Sequence, residues 1–306
     1  MVAAAVVVAA SLLVDRLVGD PQSRYHPVAL LGRFIGWWGV PARYPAGLHR
    51  AIGVAGAVLT VALFAAPFAL VELAAPWYLY LLLAPFLLKA CLAWRALEEH
   101  AATVVRALDD GGIDAGRSAA GMMVSRDTGH LDPEHVLSAA YESMTENLVD
   151  SIISPLFYFG LFGLTGAAAF RAINTMDAML GYRDERARIG WFAARADDVA
   201  NFIPARLTGL ILLAYFAAKG RFAPAYAALR RDAKRRPGFN GGIPMAVIAG
   251  GVGIRLEKPG VYTIGDAERT LAEGGAGIVR AVRAGTIIFV ILEIAALFLL
   301  VSMSYT

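Results

Sequence analysis

Apolar runs at about 48–71, 76–94, 199–218 and 284–303 of this 306-residue chain are long enough to cross a bilayer, whose hydrocarbon core demands roughly 20 consecutive apolar residues. Inside lipid every backbone N–H and C=O has to be satisfied within its own segment, so runs of this length fold as helices. A soluble enzyme of this size does not carry 58% hydrophobic and 17% charged residues with a mean hydropathy of +0.57. The sequence therefore predicts an all-α polytopic integral membrane helical bundle, a single domain over 1–306, multi-pass in the cell membrane. A further run at about 148–170 carries Ser151, Ser154 and Pro155. The opening run, Met1 to Val14, is short and is followed by Asp15 and Arg16; without a basic leader or a small-residue cleavage site it reads as a retained first helix.

The single cysteine, Cys91, falls inside an apolar run, which excludes an internal disulfide and a cysteine-ligated metal cluster. Net charge is +3 with pI near 9.0, but the bases gather in loops beside spans. That pattern fits cytoplasmic loops facing membrane lipids, not nucleic acid. Arginines at 16, 24, 33, 43 and 50 mark the first loop as cytoplasmic, and the nearly charge-free turn from Val71 to Pro76 belongs outside. Residues 95–147 read as cytoplasmic helices around a Gly111-Gly112 turn, with Ser125 to Gly129 as a loop and Asp132-Pro133-Glu134 as a helix start. A second cytoplasmic segment covers about 219–283. If 148–170 crossed fully, the arginines at 171, 183, 186, 188 and 195 would lie outside. The expected resolution is that the central helices, near 148–170 and 170–181, are partial or re-entrant, with their backbone covered by protein or lining a wet cavity.

Carboxylates beside a bilayer are costly, and this region keeps several. On a helix Glu142, Glu146 and Asp150 share one face at i, i+4 and i+8, and Asp197 and Asp198 both lie within a turn of Asn201. Asn174 and Asp177 stand three residues apart, and Arg126 sits beside Asp127 in a loop, a guanidinium suited to carboxylate or phosphate. Lys234 belongs to a basic stretch, Arg230 to Pro237, that leads into a glycine loop holding Asn240 and Gly242. Plainer readings stand beside each of these: a solvated face for Glu142 and Glu146, dipole-favoured charges at a helix start for Asp197 and Asp198, a surface turn for Arg126, a lipid-facing basic helix around Lys234, and a structural turn at His26-Pro27. Magnesium takes few carboxylates together with water and phosphate oxygens, which suits such open clusters. No Ser-His-Asp order, HExxH pattern or His/Cys metal spacing is evident. Phosphate or carboxyl-activation chemistry remains the better match.

Together, Asp15 to Pro21 with His26-Pro27-Val28, Ser125 to Thr128, Glu142 to Asp150, Asn174 to Met179, and Asp197 to Arg206 resemble, in order and spacing, the CobD/CbiB family of adenosylcobinamide-phosphate synthases. The resemblance runs from about residue 11 to about 265. It implies a membrane enzyme with a cytoplasm-facing site that joins adenosylcobyric acid to aminopropanol phosphate, or aminopropanol, using ATP and Mg2+. Carried onto this chain, it implies a catalytic set of Glu146, Asp150, Asp198 and Arg126. The nucleotide and phosphate would be bound by Asn201, Arg206, Asn174, Lys234, Asn240 and Gly242, and Mg2+ by acids drawn from Glu142, Glu146, Asp177, Asp197 and Asp198. The glycine loop keeps Asn240, Gly242 and Pro244 but has Met245 where the family often has an acid. A homo-oligomer is compatible with these features. Two rival readings also fit Asp/Asn clusters on membrane helices: a magnesium-dependent transferase with a lipid diphosphate donor, and a transporter of an anionic substrate.

Overall fold

The computed structural model describes residues 2–20 and 23–303; Pro21, in the first of the motifs above, lies outside the described residues. Five helical stretches are long and apolar enough to cross a membrane: Ala46–Ala74, Trp77–Gly121, Pro133–Leu180, Trp191–Ala218 and Leu271–Leu299. The helical class holds, and the chain is a multi-pass membrane protein. It divides into two compact units, one formed by Met1–Ala93, Asp150–Asn201 and Val290–Thr306, the other by Trp94–Val149 and Phe202–Phe289.

In the first unit α1 (Val2–Val18) packs on α4 (Trp77–Ala90), and α3 (His49–Ala74) packs on α7 (Ser154–Leu180). Between them α2 (Pro27–Trp38) opens with Pro27 at its first turn, where a missing N–H costs nothing, and with the His26 ring accepting from Val28 N at 3.3 Å. Leu31, Ile35 and Trp38 of α2 close a core with Ala57, Ala172, Met176 and Leu180. A small residue lets the turn ahead of Trp191 press against α3. A Cβ on Gly53 would stand 2.1 Å from the Ile189 carbonyl oxygen.

The central helices are broken, not continuous. In α7 the backbone leaves helical geometry at Phe162 and Gly163, where Gly163 has φ +63°. The rings of Tyr158 and Phe170 stack at 5.4 Å with an interplanar angle of 12°, whereas continuous helix would hold those positions about 18 Å apart. The chain therefore turns back on itself at Gly163. The carboxylate of Glu72, near the end of α3, caps the returning half: Oε2 accepts from Thr165 N at 3.1 Å and from Thr165 Oγ1 at 2.7 Å, satisfying donors a new helix start leaves open. The apolar run at 199–218 is interrupted too, α8 (Trp191–Ala200) ending at Asn201 before α9 (Phe202–Ala218) begins. The run at 76–94 breaks at Cys91. The 14 residues of α4 supply about 21 Å of the Trp77–Gly121 stretch.

In the second unit α5 (Trp94–Gly121) doubles back at Gly112, φ +73°, so that Val104, Ala119 and Ala120 share a core with Val136 and Ala140 of α6 (Pro133–Leu148). Asp132 caps α6 through His135 N at 2.9 Å, as its sequence signature predicts. After α9 come α10 (Phe222–Asp232) and the buried α11 (Gly242–Val252). A short antiparallel hairpin follows, β1 (Arg255–Lys258) with β2 (Tyr262–Gly265), pairing Leu256 with Ile264 and Glu257 with Thr263. This hairpin was not expected from the basic stretch that contains it. Last is α12 (Leu271–Met303), which runs through both units.

Candidate functional site

The expected site residues fall into two constellations, one in each unit. In the second unit Glu142 is the hub. Arg126 embraces it with both terminal nitrogens at 3.2 Å, Ser138 Oγ donates at 2.6 Å and Tyr262 Oη at 2.7 Å. Burial and the Glu142 charge push the Tyr262 phenol well above its ordinary range, so it stays a donor. Glu142 was expected among the magnesium ligands; its oxygens are instead closed over by protein donors. Arg126, expected to bind phosphate or substrate carboxylate, is committed to the same pair. One turn on, Glu146 is ion-paired with Arg236.

Arg236 lies over the glycine loop, where a Cβ on Gly241 would meet its guanidinium carbon at 2.9 Å. Gly242 starts α11 where a Cβ would fall 2.1 Å from the Ala233 carbonyl oxygen, so only glycine fits. Arg206 reaches the same loop, donating to Asn240 Oδ1 at 2.7 Å and to the Phe239 carbonyl at 3.2 Å, its guanidinium resting 3.6 Å from the Phe202 ring centroid. Lys234 is exposed. Met245 is fully buried inside α11, an environment that suits the thioether and would penalise the acid expected there.

In the first unit Asn174, Asp197 and Asn201 lie within hydrogen-bonding reach of one another. Asp197 accepts from Asn174 Nδ2 at 3.2 Å and from Asn201 Nδ2 at 3.0 Å, while Asn201 Oδ1 takes a hydrogen bond from Ser154 Oγ at 2.6 Å. The Tyr158 hydroxyl ties the end of α8 in place through the Ala200 carbonyl at 3.0 Å. The cluster thus sits where α8 stops and α7 starts. Asp177 and Asp198 act on Asp197 electrostatically, and Asp198 is paired at 3.4 Å with exposed Arg195. Asp150 does not continue the face of Glu142 and Glu146: it lies past the end of α6, in a π-helical turn at Val149–Ile153, and in the other unit. The wider turn rotates it away from strict i, i+8 spacing. Among the described residues no three or more His, Cys, Asp or Glu side chains gather as a metal cluster.

Two features of this unit were not foreseen. Lys89, at the end of α4, is ion-paired with Asp20 and lies 3.6 Å from the fully buried Asp15, while His26 Nε2 stands 3.7 Å from Asp20. Burial, helped by Lys89 and Arg171 and opposed by Asp20, holds the His26 imidazole below its ordinary range. Arg171 lies on α7 one turn from Asn174. A lone arginine following an apolar run was the available signal for it.

Comparison with known proteins gives the same grouping of residues a wider context. The family model described as CobD/Cbib protein matches residues 8–290. A protein of Methanothermobacter thermautotrophicus described as "Probable cobalamin biosynthesis protein CobD" is 40% identical over 261 residues, covering 84% of this chain and 85% of that one. One from Methanococcus vannielii with the same description is 35% identical over 300 residues, 94% of this chain and 96% of the relative. The "Cobalamin biosynthesis protein CobD" of Brucella anthropi is 38% identical over 280 residues, with 84% and 83% covered. No solved structure matches. The motifs, the broken membrane helices and the near full-length matches converge: this chain belongs to the CobD/CbiB family of cobalamin biosynthesis proteins.

Proposed function

We propose that the chain is an ATP-dependent amide synthase that joins a carboxyl group of adenosylcobyric acid to the amine of aminopropanol phosphate or aminopropanol. The observation that carries this reading is Asp197, a carboxylate enclosed in an apolar bundle, oriented by two amides and paired with no cation among the described residues. A dehydrated carboxylate without a cation is expensive, and a divalent ion brought in with a nucleotide completes it. Magnesium fits this donor set, since it needs few protein carboxylates; Asp197 would hold it, with Asp177 and Asp198 nearby. Bound there, the ion supplies charge neutralisation for phosphoryl transfer.

The reaction balances as two transfers. A carboxylate oxygen of the acid attacks the γ-phosphorus of ATP and ADP leaves; the amine nitrogen then attacks the acyl carbon, phosphate departs, and the amine yields a proton. Asn174 and Asn201 orient Asp197, and Ser154 fixes Asn201. In the second unit Arg206 and Arg236 lie against the glycine loop and exposed Lys234 precedes it in the chain, a basic setting suited to an anionic substrate. We also infer that α7 is a re-entrant pair entering and leaving by the cytoplasmic face, since the reversal at Gly163 returns Arg183, Arg186 and Arg188 to the side favoured for basic residues. Broken helices around a buried acid also suit a transporter.

Mass spectrometry of purified protein incubated with adenosylcobyric acid, aminopropanol phosphate and magnesium-ATP separates these readings. An ATP-dependent product heavier by the amine minus water is expected. Asp197→Asn, nearly isosteric, should lower its formation on the order of 100-fold. Product formation at the wild-type rate in that variant would sink the assignment of Asp197; movement of substrate without covalent change would favour the transporter.

A further inference from the structure

Arg171 is an arginine whose charge the fold leaves unanswered. Its Nη1 reaches Asn174 Oδ1 only at 3.5 Å, the outer edge of hydrogen bonding. Its Nε is shut away from water and makes no hydrogen bond. Asp20 and Asp150 act on it at longer range, and among the described residues no carboxylate pairs with it. By contrast Arg126 is paired with Glu142 and Arg236 with Glu146, and Lys89 is held by Asp20 and Asp15. A guanidinium held largely out of water without an anionic partner is costly, and it sits in a membrane helix where an ionisable group without a use is disfavoured. The residue is half-buried and not sealed, and Nη2 is not closed off as Nε is, so a ligand can approach the terminal nitrogens.

The neighbouring amide joins this cation to an acid. Asn174 turns its oxygen to Arg171 and its nitrogen to Asp197. One amide therefore sets side by side a carboxylate lacking a cation and a guanidinium lacking an anion. That pair is complementary to a phosphate group carrying a divalent cation: oxygens shared between the metal and the arginine fork.

We propose that Arg171 binds a phosphate oxyanion beside Asp197, through its two terminal nitrogens. This deepens the amide-synthase reading and rests on it for the identity of the anion, a phosphate brought by the nucleotide or by the phosphorylated amine. A lipid headgroup phosphate has the same chemistry.

The test uses the full chain in neutral phosphatidylcholine nanodiscs. Calorimetry and thermal unfolding are followed with three probes, magnesium with the non-hydrolysable nucleotide AMP-PNP, aminopropanol phosphate, and aminopropanol. Wild-type protein should bind a phosphate-bearing probe and melt higher with it. Arg171→Lys, which keeps the charge and loses the fork, and Arg171→Gln should each weaken that probe tenfold or more and abolish the rise in Tm. Their ligand-free Tm should not fall, because the charge has no internal partner to lose. The probe that loses affinity names the source; a rise in Tm produced in the wild type alone by phosphatidylglycerol nanodiscs would name the headgroup.

The proposal is overturned if wild-type protein is stabilised by none of these phosphates, if both variants bind them within twofold of wild type, or if both lose ligand-free stability as a structural residue would. Arg171-dependent AMP-PNP binding without amide product would sink the synthase reading alone. Normal product formation with unchanged KM values in Arg171→Lys would sink the phosphate assignment alone.

Discussion

Asp232 is fully enclosed, and its oxygens collect two bonds from Arg231 at 2.8 Å, an ion pair with Arg235 at 3.2 Å and the Gly265 N–H at 2.9 Å. Burial raises its pKa, but Arg231, the Gly265 N–H and Arg235 outweigh that and hold it below the ordinary carboxylate range. Its stabilisation is therefore full above the unfolded pKa, roughly 3.9, and fades as pH drops through the lower folded value. Asp232→Asn should cost about 2–3 kcal/mol at pH 7, the lower end for a broken buried pair because Arg231 is itself half in water. The gap between variant and wild type should narrow as pH falls below about 4, as thermal unfolding across pH will check. At this scale the sequence was a good guide to residue type and a poor one to partners. Spacing paired Asp197 with Asn201, one helical turn apart, and Asn174 with Asp177; that Asn174 reaches across to Asp197 on another helix was not legible. It offered Arg126 and Glu142 as separate ligands, because nothing in one dimension says that an arginine sixteen positions away will close on a glutamate. For the same reason Arg171 was passed over: a cation is notable only once its neighbours are known to leave it alone.

Among the elements, the reversal in α7 makes the strongest demand on sequence. A Cβ on Gly163 would need a positive φ and would land 1.6 Å from Glu72 Oε1, so Gly163→Ala strains the turn and expels the cap together. The combined cost should be about 2–4 kcal/mol. Glu72→Gln keeps an acceptor for Thr165 and should lose much less. Apparent Tm in detergent, followed by tryptophan fluorescence, should therefore order wild type, then Glu72→Gln, then Gly163→Ala; an inverted order would mean that the cap does not hold the turn. Hydropathy located this element, yet the pivot was hidden, since one glycine among many carries no label until an acid from another helix meets it. The β-hairpin was hidden differently. Four-residue strands are shorter than the windows in which alternation is readable, and Ser138 donates no signal of its own when its hydroxyl accepts from Glu257 N at 2.7 Å.

For the molecule as a whole the open variable is orientation. In the first unit Gly53, near the start of α3, lies against Ile189, while Ala75 follows the far end of the same helix, so residues beside each should face opposite sides of the membrane. Single cysteines at Arg186 and Ala75 should label from the cytoplasm and from outside respectively with an impermeant maleimide. Buried Cys91 leaves the background silent. Both reacting from one side would refute the placement of α3 as a crossing. The Glu72 cap carries one further consequence, for the time before the protein is complete. Chains are made from the N-terminus, so Glu72 enters the membrane long before Thr165 exists to meet it. Until then the nascent protein carries, near the end of α3, a carboxyl group without its Thr165 partners, a costly group beside a bilayer. Completion of α7 supplies it with two hydrogen bonds, so the folding of the central hairpin relieves a cost the chain has carried since α3 was made.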